Sequence, residues 1–392
     1  MKVMKFNQCN SANVVISTKR WISYTSPTAI IWQPRYSIRK KKIDCESSSI
    51  DPPYIKVTKS EGRILSIEIR SGIVREVPIY YCIHDDMLTI SDSSKTFSHL
   101  NTILDDLSVK EFLVYGYVTT NRTLLKDVFC LTAGQRLVFE NSTLSIENEY
   151  VYNTATEFDE DIPTLHEELL SVSESIFDQL IKDLEGRTVI LPLSAGYDSR
   201  FIAAMLKLGG YEKVKCFSWG EEKHPDVGIS REIAAILGYD WTHIDYNQSS
   251  WKETIMSDWL PELLCESSGY VSTSGIASLP FLNYLMRTKL DHADCVVLPG
   301  HTGDFISGGH IPLDLEKNSS IEDVVQSILS RHSLIGTDFL DATIVEELTN
   351  QISDFSLSLS LSLSLELTRR GNGESGKPST LSTQIDTTNP LG

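Results

Sequence analysis

Between residues 188 and 246 the chain alternates short apolar runs with longer amphipathic stretches. "TVILPL" (188–193), "VKCFSW" (214–219) and "WTHIDY" (241–246) are rich in β-branched and aromatic residues and read as buried strands. Phe201, Ala204, Met205 and Leu208 are expected to form the inner face of a helix that stops at Gly209 and Gly210. Ile229, Ile233, Ile236 and Leu237 are expected to do the same for a second helix, closed by Gly238. Strand–helix–strand–helix–strand with short links is the pattern of a doubly wound parallel sheet, an α/β fold. "DCVVLPG" (294–300) reads as a further strand of it. Upstream, Leu165, Leu169, Val172, Ile176 and Leu180 recur every three or four residues, so a long amphipathic helix begins near residue 160.

Residues 1–155 follow another pattern. "ILSIEI" and "EVPIYYCI" are strand-like, and "MLTISDSS" is a strand ending in turn residues. "GQRLVFENSTLSIENEYVY" reads as a hairpin joined by "ENST". "KEFLVYGYV" is ambiguous between helix and strand. The whole reads as an antiparallel β-rich module. Its first 43 residues hold no Asp or Glu, while "RKKK" occupies Arg39–Lys42. A targeting segment is one reading of that bias, but Trp21, Trp32 and the apolar Ala29–Trp32 run favour folded strands.

Bulk properties exclude several classes. At 392 residues the chain can bury two cores, and its net charge of −18 disfavours nucleic acid as a partner. The apolar runs are too short for a membrane span or a secretory leader. Seven scattered cysteines with no CxxC pair point to reduced thiols, a cytoplasmic setting and no cysteine-bound zinc. "EFDEDIP" (Glu157–Pro163) reads as a solvated approach to a helix, and the tyrosines of "PIYYC" as β core.

From Ser356 the chain runs "SLSLSLSLSL". Alternation suits a strand, but a CU dinucleotide tract also decodes as Ser-Leu in whichever phase it is read. A slip there leaves the repeat intact and shifts everything after it. The following residues, 366–392, hold no aromatic side chain and no periodicity, so they read as a disordered, non-native tail.

The stretch that carries chemistry is "LPLSAGYDSR" (191–200). Leu193 is expected to end a strand and Arg200 to start a helix, with small residues between. In open α/β sheets ligands sit at the carboxyl ends of strands, and unpaired N–H groups at a helix start favour an anion. Ser194 and Ser199 add hydroxyl donors. Asp198 repels phosphate directly and makes sense beside it only through a divalent cation. The loop is not a Walker A, since GxxxxGK[ST] is absent. The alternative is a plain strand–helix turn in which Asp198 and Ser199 cap the helix. Further on, His224 and Asp226 in "EEKHPDVG" face a nucleotide or, for Asp226, cap the next helix.

"LPLSAGYDSR" resembles the SGGxDS pyrophosphate loop of the asparagine synthetase family, which includes β-lactam synthetases. "CFSWG" (Cys216–Gly220) looks like that family's second strand, whose end lies against adenine. "VVLPGHTGDFISGGH" (Val296–His310) resembles its LSGEGxDExxGGY segment. "FLVYGYVTTNRTLLKDVFCLTAGQRLVF" is similar to the end of its glutaminase-like, Ntn-type domain. The resemblance spans about residues 75–315. It implies that Leu193, Trp219, Pro299 and Gly300 line the nucleotide. Ser194, Ala195, Gly196, Tyr197, Asp198 and Ser199 would form the pyrophosphate loop, and Asp198 and Asp304 would hold Mg2+. The implied chemistry is ATP-dependent and AMP-forming: a carboxylic acid, aspartate or an analogue, is adenylated and then taken by ammonia or another amine.

The chain departs from that pattern in several places. The family's glutaminase nucleophile is a cysteine just after the initiator Met; here that position is Lys2 and the first cysteine is Cys9, so the β-rich module reads as a degenerate scaffold. Ala195 replaces the first loop glycine. His301 stands where the family has a glutamate associated with the second step, and a neutral imidazole there is a candidate base. The alternative is a loop histidine with no catalytic role. Phe305 replaces a second acid. The family's C-terminal stretch with its catalytic lysine gives way to the Ser-Leu tract, so the nucleotide domain is expected to be incomplete at its C-terminus.

The expected organisation is therefore a degenerate glutaminase-like module over 1–155, a pyrophosphate-loop ATP-binding domain over 156–355, and the repeat and tail over 356–392. The expected activity is AMP-forming amide synthesis resembling that of asparagine synthetase. A catalytically inactive nucleotide-binding protein is the alternative, and a pyrophosphate-loop enzyme acting on RNA is disfavoured by the acidic charge.

Overall fold

The computed structural model describes residues 2–9, 12–18, 20–34, 53–61, 63–85, 87–98, 103–141, 143–152, 160–273, 275–288, 290, 294–301, 303, 319–333 and 341–353. The Arg39–Lys42 run and the Ser-Leu tract with its tail lie outside these residues.

The amino-terminal region is β-rich. Its strands are β1 (Lys2–Cys9), β2 (Ala12–Thr18), β3 (Trp21–Thr25), β4 (Ala29–Pro34), β5 (Tyr54–Ser60), β6 (Arg63–Arg70), β7 (Tyr80–His84), β8 (Met87–Ser91), β9 (Phe129–Cys130), β10 (Gln135–Glu140) and β11 (Thr143–Asn148). They form one sheet of order β1-β2-β8-β7-β9 and another of order β11-β10-β6-β5-β4-β3. Alternate residues of both sheets face a shared core: Val14, Ile16, Leu88 and Ile90 from the first, and Ile55, Val57, Ile67, Ile69, Leu137 and Phe139 from the second. This is the period-two burial of stacked sheets. Trp21 and Trp32 are buried in it, as their place in strands required. Among the described residues of this region pairing is antiparallel with one exception, β2 against β8, which periodicity does not reveal.

The ambiguous "KEFLVYGYV" (110–118) resolves as the end of a helix, α1 (Asp106–Tyr115), with Tyr117 beyond it bridging to Ser272. The Asp105 carboxylate accepts from the Ser108 N–H at 2.9 Å, and Gly116 closes the other end at φ 82°. That left-handed conformation suits glycine.

The second region opens with α2 (Ile162–Leu184), whose Asp161 cap accepts from the Thr164 N–H at 3.0 Å. A parallel sheet follows, built from β12 (Thr188–Pro192), β13 (Val214–Gly220), β14 (Asp240–Asp245) and β15 (Cys295–Val297) in the order β14-β13-β12-β15. Helices α3 (Tyr197–Leu208) and α4 (Pro225–Leu237) cover one face together with α2, over Leu184, Val189, Leu191, Ala203, Leu206 and Ala234. After α5 (Gln248–Ile255) and α6 (Leu260–Ser268), α7 (Leu279–Arg287) covers the other face, placing Phe281 and Leu285 against Ile190, Phe217 and Ile244. Strand order reverses at β12, which makes its carboxyl end the switch point of the sheet.

Four expectations need correcting. The helix after the loop starts at Tyr197, three residues before Arg200. Its inner face is Ser199, Ala203, Met205 and Leu206; Phe201 and Leu208 point outward. In α4 the buried residues are Val227, Ser230 and Ala234, while Ile236 is 83% exposed. Small side chains let these helices approach the sheet closely, whereas Phe201 packs edge-on against Phe177 of α2. In α2 itself Leu169 is exposed, and burial is concentrated from Ser173 onward.

The two regions are joined by main chain as well as side chains. The Val118 and Leu124 N–H groups donate to the Val271 and Tyr270 carbonyls at 2.7 and 2.8 Å, and the Thr273 N–H donates to the Gly116 carbonyl at 2.7 Å. Glu266 of α6 accepts from the Ser93 hydroxyl at 3.0 Å and pairs with Arg20 at 3.3 Å. Carboxyl-terminal helices α8 (Ile321–His332) and α9 (residues 342–353) pack Val325, Leu329 and Ile344 against Val114 and Tyr115 of α1. Cys82, Cys130, Cys216, Cys265 and Cys295 are free thiols. Among the described residues no helix is long and apolar enough to cross a membrane.

Candidate functional site

The turn between β12 and α3 is held by its own hydroxyls. The Ser194 N–H donates to Ser199 Oγ at 3.1 Å, the two serine hydroxyls lie 3.1 Å apart, and the Gly196 N–H donates to Ser194 Oγ at 3.1 Å. Gly196 is the cap residue of α3, at φ −65° and ψ 153°, and no side chain caps the helix. The capping alternative for Asp198 and Ser199 is thus not what forms. Both lie inside the first turn, and the amino end of α3 stays available to an anion. Ala195 is absent from the residues at positive φ, so alanine is compatible with the loop there.

A cleft of about 500 Å³ opens at the switch point. Leu193, Ser194, Gly196, Asp198 and Ser199 line it from the turn, Trp219 from the end of β13, and Pro299, Gly300 and His301 from beyond β15. Ala195 and Tyr197 do not line it. Tyr197 is 82% exposed behind the loop, beneath the Arg200 guanidinium, which lies 5.0 Å from its ring centroid. Asp304 and Phe305 lie outside the described residues. Gly303, next to Asp304 in the chain, lies directly against Asp198: a Cβ on Gly303 would sit 1.9 Å from Asp198 Oδ1. Among the described residues no group of three or more His, Cys, Asp or Glu is placed to hold a metal ion.

Asp226 also lines the cleft. It does not cap α4; His224 does, its Nδ1 accepting from the Asp226 N–H at 3.3 Å. Sequence reasoning missed Ser278, Phe281 and Leu282, which α7 and its cap residue bring into the lining. The Phe281 ring stacks on Trp219 at 4.7 Å and 25°, extending the aromatic wall. The available signal was "SLPF" (278–281), a serine and proline at a helix start, but its distance along the chain hid its place beside Trp219.

Gly300 is where the two halves of the cleft touch. A Cβ there would lie 2.8 Å from the Ser199 nitrogen and 3.1 Å from its Cα. Both atoms are helix backbone and cannot swing aside. If the cleft takes ATP, as the resemblance implies, Gly300→Ala should push Gly300 and its neighbours off α3 and weaken ATP binding about tenfold or more, with little change in thermal unfolding. Titration calorimetry with MgATP checks this; unchanged affinity would show that the close approach is dispensable.

A family model described as asparagine synthase matches residues 173–370. The chain belongs to the asparagine synthase family. The matched segment begins within α2 and contains the turn, the parallel sheet and every residue lining the cleft. No curated protein matches the chain. Solved structures similar to it include an NH3-dependent NAD synthetase from Campylobacter jejuni subsp. jejuni NCTC 11168 in complex with the nitrate ion. It is 14% identical, covers 50% of this chain and 95% of its own, and has a TM-score of 0.27. Another is a predicted subunit of tRNA methyltransferase from Methanocaldococcus jannaschii DSM, 14% identical over 42% of this chain and 74% of its own, with a TM-score of 0.19. At these scores neither likeness says what this member of the asparagine synthase family binds.

Proposed function

We propose that this chain joins a carboxylic acid to an amine at the expense of ATP, forming AMP and pyrophosphate. The observation that carries the reading is the convergence of Ser194, Gly196, Asp198, Ser199, Trp219, Pro299, Gly300 and His301 on one cleft at the switch point. A carboxylate oxygen attacks the ATP α-phosphorus, and the bond to the bridging oxygen breaks with release of pyrophosphate. The amine nitrogen then attacks the acyl carbon, the bond to AMP breaks, and the nitrogen loses a proton.

In this reading Leu193, Trp219, Phe281, Pro299 and Gly300 enclose the adenosine. The amino end of α3, with the Ser194 and Ser199 hydroxyls, receives the pyrophosphate, where donors stabilise charge as it develops on the leaving group. The carboxylate of Asp198 fits a cation that prefers hard oxygen ligands and keeps most of its water. Asp198 and Asp304 would hold Mg2+, which when bound offsets the phosphate charge. His301, exposed at the mouth, is the candidate base for the second step. Aspartate or an analogue is the acid, ammonia or another amine the acceptor, and the cytoplasm the setting. Residues 1–155 act as a degenerate glutaminase-like scaffold.

ATP–pyrophosphate exchange tests this across a panel of carboxylic acids. Exchange that depends on one acid identifies the ligase and its substrate. ATP binding without exchange for any acid would replace the ligase by a nucleotide-binding protein.

A further inference from the structure

The peptide between Ala195 and Gly196 is gripped on both sides. Its carbonyl accepts a hydrogen bond from Arg200 Nη2, and its N–H donates to Ser194 Oγ at 3.1 Å. In a trans peptide these groups point in opposite directions. Ser194 and Gly196 line the cleft; Ala195 and Arg200 do not. Arg200 therefore stands behind the loop and draws the carbonyl backward, while the N–H is left on the cleft side. The guanidinium is fixed there by the Tyr197 ring, 5.0 Å from its centroid, and its Nε is buried with no hydrogen-bond partner. A charged group held where one donor is wasted points to a task for the others.

We propose that Arg200 is a positioning residue of the pyrophosphate loop, fixing the Ala195–Gly196 peptide so that its N–H, and not its carbonyl, meets the phosphate. This rests on the reading of the turn as a phosphate site. When pyrophosphate arrives, the Gly196 N–H exchanges the Ser194 hydroxyl for a phosphate oxygen. With Arg200 removed, only the Ser194 hydroxyl holds the peptide, and once the N–H gives up that bond a flipped peptide would turn a partial negative charge toward the phosphate.

The test uses the full chain, Arg200→Ala and Arg200→Lys. Calorimetry with magnesium pyrophosphate, MgATP and adenosine should show Arg200→Ala weakening the first two about tenfold, the loss of one well-aligned charge-assisted bond. Adenosine affinity should not change, and Arg200→Lys should recover part of the loss. In the ligand-free protein labelled with 15N-glycine, the Gly196 amide resonance should move in Arg200→Ala. Equal weakening of adenosine and pyrophosphate, or an unmoved Gly196 resonance, would overturn the proposal. Unchanged pyrophosphate affinity in Arg200→Ala sinks this proposal alone. A wild-type chain that binds neither pyrophosphate nor ATP sinks the nucleotide reading and this one with it.

Discussion

Replacing Asp198 by asparagine should lower magnesium-dependent ATP–pyrophosphate exchange about a thousandfold, the worth of several kcal/mol of charge stabilisation at the transferring phosphate. Asparagine keeps the size of the side chain and its packing against Gly303, so the loss would be electrostatic. The sign reverses when the metal is withdrawn. Without a cation the Asp198 carboxylate only repels the polyphosphate, so in EDTA the variant should bind ATP at least as tightly as the wild type. The pair of measurements separates a metal ligand from a structural acid: a variant weakened equally with and without magnesium would mean that Asp198 matters for the shape of the turn alone.

Arg122→Met should have the largest effect on stability. Glu111 is 2% exposed, and its carboxylate accepts from the Thr119 N–H at 3.1 Å, the Thr119 hydroxyl at 2.6 Å and Arg122 Nη2 at 2.7 Å. The other arm of Arg122 reaches Glu347 on α9 at 2.9 Å. Removing the cation strands a buried carboxylate, which costs roughly 3 kcal/mol, and breaks the ion-pair link from Glu111 of α1 to Glu347 of α9. Urea unfolding should show the loss, and adding Glu111→Gln should restore part of it. Unfolding that matches the wild type would show the pair to be fully solvated. Burial raises the Glu347 carboxyl, but hydrogen bonds from Gln351 and Arg122 outweigh it and hold the pKa below the usual range. The contribution of Glu347 is therefore complete at neutral pH and lost as pH falls through its lowered value, so acid should loosen α9.

The doubly wound sheet was legible because its strands are short apolar runs with glycine-closed helices between them; "TVILPL", "VKCFSW" and "WTHIDY" each became the strand they suggested. Helix faces were less legible. Apolar residues in α3 and α4 occupy several sides, since one side meets the sheet and another meets a neighbouring helix, as Phe201 meets Phe177. The largest side chains then mislead, and Ala203, Ser230 and Ala234 take the tight inner positions. In the site, residues on one stretch of chain line the cleft together. The place of Phe281 was not legible, because its contact with Trp219 is made by a helix some sixty residues downstream. The packing role of Gly300 gave no warning either: only its approach to Ser199 of α3 shows why it admits no Cβ.

The hydrogen bonds that join segment 116–124 to segment 270–273 run between backbone atoms. Such a seam is indifferent to which side chains flank it, provided no proline intrudes. Side chains on either half can therefore be exchanged while the joint endures, so the register between the β-rich region and the parallel-sheet region is set by main chain and not by surface composition.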